Sequence, residues 1–404
     1  MTTQSSGLPQ GIELTPLDER FRTDPYPVLA RLRTQAPVHE DIGLKRFVYT
    51  RHDDVYEILR DREFWSDPRK ANPGTFTREF LGSRIDEEPS MLLMDEPGHR
   101  RLRSLVSSSF TPAAVEHWRP RIREVIARVL DGITGDGFDL ITEFAGPVPT
   151  VVIAEMLGVD PARHSDFKTW SDQSVTVGFN PFATPEELVG AESARAALGE
   201  IFKAEIETRR GSLGDDLISD MLRAEEDGDQ LTESEMIRQC DLLLLAGNVT
   251  TTDLIGNGVK ALLDHPDQLA KLRANPTLIG NAVEEMLRFD SPVVNSGRIA
   301  SRDIEIGGCP VRRGESLSTS LASANRDPAA YPNPDRFDIE RADTHHQSFG
   351  GGRHLCLGAH LARAEAQEAI LALIARFPNL RHGGSFRYHA IPSFRGMASF
   401  LVQV

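Results

Sequence analysis

Ser348-Phe349-Gly350-Gly351-Gly352-Arg353-His354-Leu355-Cys356-Leu357-Gly358 is the stretch on which the reading of this 404-residue chain turns. Three successive glycines permit a tight backbone path and the close approach of a flat ligand. A helix is expected to begin near Leu357 or Gly358 and to run through Ala362-Arg363 to about Phe377. Cys356 then precedes a helix N-terminus, where unpaired N–H groups and the positive dipole end favour a thiolate. A single thiolate offered from a glycine loop suits the proximal ligand of a haem iron. Two other readings of the same residues stand beside it. One is a lone, buried, inert cysteine. The other is a zinc site drawn from His345, His346, His354, Cys356 and His360, although their spacing fits no paired-ligand pattern.

Working outward, the composition of 40% hydrophobic and 26% charged residues is that of a globular protein and excludes extensive disorder. Sixty acidic residues against 45 basic ones leave a net charge of −15, which argues against nucleic acid or an anionic membrane as the main partner. Cys240, Cys309 and Cys356 lie far apart, which makes no disulfide framework and fits a reducing cytosol. Residues 1–7 have neither the basic nor the apolar region of a signal peptide. The most apolar stretches, Leu242–Gly247, Val148–Val159 and Ala369–Phe377, fall far short of the roughly 20 residues a membrane helix needs. A soluble cytoplasmic protein is expected.

Helix signals dominate the chain. Thr111-Pro112 opens one helix over Ala113–Ile133, and Thr184-Pro185-Glu186-Glu187 opens another that reaches about Arg210. Thr232-Glu-Ser-Glu235 matches a capping box, and the helix it starts is expected to continue to Asp264, before Pro266. Such a helix spans roughly 50 Å and must cross the molecule. Its middle, Leu242–Ala246, is apolar all round and belongs in the core. Strand patterns are fewer, over Arg298–Ile306 and Glu315–Ser320.

Four further segments carry residues with chemical or structural meaning. Glu285 and Arg288 in Glu284-Glu285-Met286-Leu287-Arg288 are three apart on a helix and can pair, though a surface pair of this kind contributes little. Arg336 lies in the proline-rich Tyr331-Pro-Asn-Pro-Asp-Arg336-Phe337. His99 and Arg103 in Pro97–Arg103 share a helix face suited to carboxylates, or else face solvent. Within Ala246-Gly247-Asn248-Val249-Thr250-Thr251, Gly247 weakens the helix and Thr250 can bond back to the carbonyl four residues earlier.

With these segments in this order, the chain resembles the cytochrome P450 family, specifically its soluble bacterial members, from about Asp24 to the C-terminus. Phe349-Gly350-x-Gly352-x-His354-x-Cys356-x-Gly358 is similar to the family's haem-binding loop at every defining position. The resemblance implies a mainly α, single-domain, triangular fold with a small β lobe, formed by residues 24–404 behind a loosely ordered extension, 1–23. It implies haem b (iron protoporphyrin IX) ligated by Cys356 and bound by Phe349, Gly350 and Gly358. The propionates are expected on His99, Arg103, Arg298 and His354, and a structural triad is expected from Glu285, Arg288 and Arg336. Gly247, Asn248, Val249 and Thr250 are expected to line the oxygen site.

The activity implied is insertion of one oxygen atom from dioxygen into an apolar small molecule. Electrons are expected from an external ferredoxin and ferredoxin reductase, with no flavin or nicotinamide domain in the chain and with a monomeric enzyme. Arg100, Arg101 and Arg353 are expected to steer an acidic partner. The implied pocket is lined by Leu242, Leu245, Ala246, Val293, Val294 and Phe394, with Ser393 and the segments Phe76–Met91 and Phe179–Phe182. One residue departs from the family pattern: Val249 stands where an acid usually precedes the threonine. Asn248 or Asp253 is expected to substitute in proton delivery. The departure also leaves room for a peroxide-using, dehydrating or isomerising haem-thiolate enzyme, or for a haem protein that only binds ligands.

Overall fold

The capping box of the long helix forms as its sequence demands: the Glu235 N–H donates to Thr232 Oγ1 at 3.2 Å, and the Thr232 N–H to Glu235 Oε2 at 2.9 Å. From that start one helix runs uninterrupted over Glu233–Asp264. Helices Pro147–Leu157, Pro185–Gly211, Ile279–Phe289 and Ala359–Arg376 pack around it. Leu242, Leu243, Leu244, Leu254, Ile255 and Val259 bury it in the main core. The structure, a computed structural model, describes residues 7–404 apart from 80–85, 87, 88, 164–166, 168, 172, 175, 176, 178, 179, 181 and 227–230. Helices Pro112–Asp131 and Pro185–Gly211 begin at the expected caps, Thr111 and Thr184.

The strands are β1 (Val38–Asp41), β2 (Arg46–Tyr49), β3 (Phe64–Trp65), β4 (Gly137–Asp139) and β5 (Asn295–Ala300). They continue as β6 (Ile304–Ile306), β7 (Cys309–Val311), β8 (Ser316–Ser320), β9 (Arg381–Tyr388) and β10 (Met397–Gln403). Five form a sheet in the order β1-β2-β8-β5-β3, in which only β2 and β8 run parallel. β4-β10-β9 form a second sheet, and β6-β7 a hairpin. The expected strand over 298–306 divides in two, because Ser301-Arg302-Asp303 turns the chain out of the large sheet and into the hairpin. The mainly helical arrangement with a small β lobe agrees with the sequence reading.

The N-terminal extension does not behave as expected. Residues 1–6 lie outside the described part, but Gly11–Leu14 form a 3-10 turn and Glu19–Thr23 a helix capped by Asp18. Leu14 and Phe21 are buried against Leu29, Leu32, Val48, Val294 and Ala322. Asp41 accepts the Gly11 N–H at 2.7 Å. Two apolar side chains and a buried carboxylate therefore stitch this segment to the body, and position 24 is no boundary. Among the described residues, no helix is long and apolar enough to cross a membrane. Nor do three or more His, Cys, Asp or Glu side chains gather as a metal site there, which removes the zinc reading.

Candidate functional site

The glycine loop lies flat on helix His52–Arg60. Gly350 and Gly352 have φ of +70° and +62°, in the left-handed region that favours glycine. A Cβ at Gly352 would also come within 2.7 Å of Leu59 O. The Cys356 N–H donates to Phe349 O at 2.9 Å and the Gly350 N–H to Gln347 O at 2.8 Å, closing the loop. Ser348 Oγ donates to Leu287 O at 2.7 Å and accepts from Asn325 Nδ2 at 2.8 Å, which ties the loop to the helix behind it. Helix Ala359–Arg376 follows, with Gly358 at its cap. The Cys356 sulfur lies against the Gly358 N–H at that cap. Burial is the larger influence and pushes the thiol up, opposed by the Gly358 N–H, Arg103 and Arg363. A coordinated metal deprotonates a thiol outright.

The triad behind the loop exists, with one member corrected. Glu285 and Arg288 are fully buried and paired bidentately, Nε to Oε2 at 2.7 Å and Nη2 to Oε1 at 2.9 Å. The second arginine on Glu285 is Arg341, with Nε 3.0 Å from Oε2. Arg336 is not that residue: its side chain is 64% exposed and, among the described residues, pairs only with Asp338 at 3.4 Å. Its carbonyl is what the triad uses, accepting from Arg288 Nη2 at 3.2 Å and Arg341 Nη2 at 2.8 Å. The loop winds around the two guanidinium groups, so a residue five positions downstream supplies the third side chain.

A second strut escaped the sequence reading. His346 Nδ1 accepts the Ser348 N–H at 3.2 Å, which leaves Nε2 to donate to Glu284 at 3.2 Å. Glu284 in turn holds Arg363 at 2.6 and 2.8 Å, and that guanidinium lies 4.5 Å over the Phe349 ring. The clue was the doubled glutamate of Glu284-Glu285, of which only the second was weighed.

Facing the loop, the expected cations converge. His99, 2% exposed on helix Gly98–Ser107, and His354 have ring centroids 4.2 Å apart. His99 Nδ1 and His354 Nε2 are buried without a hydrogen-bond partner among the described residues. Among the described residues, the side chain of Arg298, 7% exposed on β5, donates only to Ser296 Oγ and Gly297 O. Burial, then Arg353, push its pKa down to about 10. Asp95, the carboxylate acting on it, is bonded to Lys70 at 2.9 Å. Arg103 donates to Leu355 O at 2.7 Å. Burial, then the neighbouring cations, push His354 down to about 2. A buried Arg298 with little counter-charge, Arg103 nearby and two neutral imidazoles with unpartnered ring nitrogens fit a ligand bringing two carboxylates, as haem does.

On the central helix, Thr250 Oγ1 donates to Ala246 O at 2.8 Å, the expected back-bond. Helix geometry continues through Gly247, so the segment is not a break. Asn248 is corrected: its Oδ1 accepts from Thr150 Oγ1 at 2.9 Å and its Nδ2 donates to Ser171 Oγ at 2.9 Å, on the helix side away from Ala246 and Thr250. Asp253 is likewise committed, to His389. Val249 packs on Leu245, Ile391 and Phe394, together with Val293.

Of the expected pocket residues, Leu245, Val293 and Phe394 are therefore brought together, with Ile391 as an addition. Ala246 lies at the edge of the main core and Leu242 within it. Val294, just before β5, packs instead in the cluster of Leu14 and Phe21. Ser393 contributes its carbonyl to the Val294 N–H. Phe179 lies outside the described residues, as does part of the Phe76–Met91 segment; Phe76 and Phe182 have ring centroids 6.3 Å apart.

Glu365 was not foreseen. It is 2% exposed and bonded to Thr251, and burial pushes its pKa up to about 8 from the ordinary 4.5. Between those values it is neutral when folded and ionised when unfolded. The native state binds the extra proton, so stability falls as pH rises from about 5 to about 8. In thermal unfolding of the haem-loaded protein, Glu365→Gln should flatten that slope and melt above wild type near pH 8. Equal slopes would contradict this.

The Cytochrome P450 family model matches residues 186–383. Cytochrome P450 107B1 of Saccharopolyspora erythraea is 40% identical over 388 residues, covering 92% of each chain. The 6-deoxyerythronolide B hydroxylase of the same organism is 37% identical over 375 residues, or 90% of this chain and 91% of that one. Among solved structures, P450BioI in complex with an acyl carrier protein ligated with hexadec-9Z-enoic acid superposes with a TM-score of 0.87 at 37% identity, over 95% of this chain and 99% of that one. Likeness of that extent, joined to a cysteine loop facing a buried cationic cluster, identifies the chain as a member of the cytochrome P450 family, a monooxygenase that takes haem b through a cysteine thiolate.

Proposed function

We propose that the enzyme hydroxylates a large apolar substrate and draws its electrons, one at a time, from an external ferredoxin and ferredoxin reductase, as a cytoplasmic monomer. The observation that carries the reading is the apolar cluster of Leu245, Val249, Val293, Ile391 and Phe394, which includes the residue just before Thr250. Two relatives fit this reading: one is named a 6-deoxyerythronolide B hydroxylase, and another is seen with hexadec-9Z-enoic acid on an acyl carrier protein. Haem b, held by Cys356, supplies the oxygen-activating chemistry. Phe349, Gly350 and Gly358 shape the loop that presents the sulfur, while His99, Arg103, Arg298 and His354 would bind the propionates. Thr250 would offer its hydroxyl to the bound oxygen. No acid stands at position 249, and Asn248 and Asp253 are occupied elsewhere, which leaves water and the neutral Glu365 beside Thr251 as the routes for protons to Thr250.

For docking, Arg100 is 80% exposed, and Arg103 lies beside the exposed Leu355 next to the thiol. Arg101 pairs with Glu235, Arg353 with Asp95 at 3.7 Å and Arg100 with Glu96 at 3.4 Å, so the steering charge is smaller than the sequence reading expected. The free thiols agree with a reducing cytosol. The test is Thr250→Ala in a reconstituted ferredoxin system. NADPH consumption should continue, hydrogen peroxide should replace product, and product per NADPH should fall by about tenfold or more. An unchanged product yield would exclude Thr250 from oxygen activation.

A further inference from the structure

A buried pair that the oxygen chemistry does not use ties the substrate wall to the central helix. Asp253, three residues beyond Thr250, is 2% exposed, and both its oxygens lie 3.1 Å from His389 Nε2. This approach needs Gly396, since a Cβ there would overlap the Asp253 carboxylate. The His389 N–H donates to Gly396 O at 3.1 Å, which closes the chain between β9 and β10 into a loop. That loop carries Ile391 and Phe394.

The ties on its two halves are unequal. After Ile391, Ser393 O accepts from the Val294 N–H at 3.0 Å, and the Arg395 N–H donates to Pro292 O at 2.8 Å. Arg395 O accepts from Asn257 Nδ2 at 2.8 Å, and the Arg395 guanidinium binds Asp290 at 2.6 Å. On the leading half, the side-chain anchor to the central helix is His389. We propose that the Asp253–His389 pair, made possible by Gly396, sets where Ile391 and Phe394 stand relative to Thr250, and so determines the size of substrate the enzyme accepts. This rests on the reading that Ile391 and Phe394 wall the substrate pocket. Removing one partner leaves the other buried and uncompensated, and the loop then relieves that cost by moving outward.

The test uses the haem-loaded protein and two iron-binding probes, imidazole and the bulkier 4-phenylimidazole, titrated by their Soret shifts. Asp253→Ala and Gly396→Ala should each change the ratio of the two dissociation constants by about tenfold or more, the scale on which an apolar pocket distinguishes ligands of slightly different size. The CO-difference spectrum should stay that of wild type. The double variant Asp253→Asn with His389→Gln can rebuild the bond without charge and should return the ratio to within about twofold of wild type. Phe394→Ala is the control on the pocket itself. If Phe394→Ala shifts the ratio and the Asp253 and Gly396 variants do not, the pair is only structural and the proposal fails. If Phe394→Ala also leaves it unchanged, the pocket reading beneath the proposal is what fails.

Discussion

In the reduced, CO-bound protein, Cys356→Ser should lose the red-shifted Soret band entirely, and monooxygenation with it, while Cys240→Ser keeps both. A hydroxyl cannot donate charge to iron as a thiolate does, and that donation drives oxygen–oxygen cleavage. The three thiols are physically distinct. Cys240 is fully buried on the central helix, where desolvation drives its thiol far up and no ligand can reach it. Cys309 lies in the β6–β7 hairpin, its thiol also raised by burial and by nearby carboxylates. Cys356 alone among them has its sulfur beside a helix cap and two arginines, with Phe349 O holding its backbone. Retention of the band in Cys356→Ser and its loss in Cys240→Ser would overturn the assignment.

The second large effect separates Arg341 from Arg336. Truncating Glu285 or Arg288 strands its partner in a fully buried site, which costs about 3–5 kcal/mol. Arg341→Ala removes the second cation from the same carboxylate and also releases Pro332 O, Asn333 O and Arg336 O, so a loss of about 2–4 kcal/mol is expected. Arg336→Ala, at an exposed side chain, should stay within about 0.5 kcal/mol. Chemical denaturation and haem content after purification measure both. Equal losses in Arg336→Ala and Arg341→Ala would mean that the exposed guanidinium matters after all.

Legibility followed the range over which each signal acts. Helix starts were readable because capping is settled within four residues, as at Thr111, Thr184 and Thr232. The cysteine loop was readable because three glycines, a cysteine and a helix start sit within eleven residues, and left-handed φ at Gly350 and Gly352 is a local demand. The converging cations were less local, and only His99 and Arg103 declared themselves by spacing; Arg298 and His354 needed the family pattern.

What the sequence by itself determined is therefore the helical class, the thiolate and its loop, and the departure at Val249, all carried by contiguous residues. Tertiary structure decided which of two nearby arginines completes the triad, since Arg336 and Arg341 share one irregular loop whose winding no periodicity describes. It decided that Val294 packs against the N-terminal segment and not in the pocket wall, because only folding brings Leu14 and Phe21 beside it. It turned Asn248 toward Thr150 and Asp253 toward His389, 98 and 136 residues away in the chain. The physical reason is common to all of these: a buried polar group must find a partner, and the partner's place in the chain is set by how helices and sheets pack.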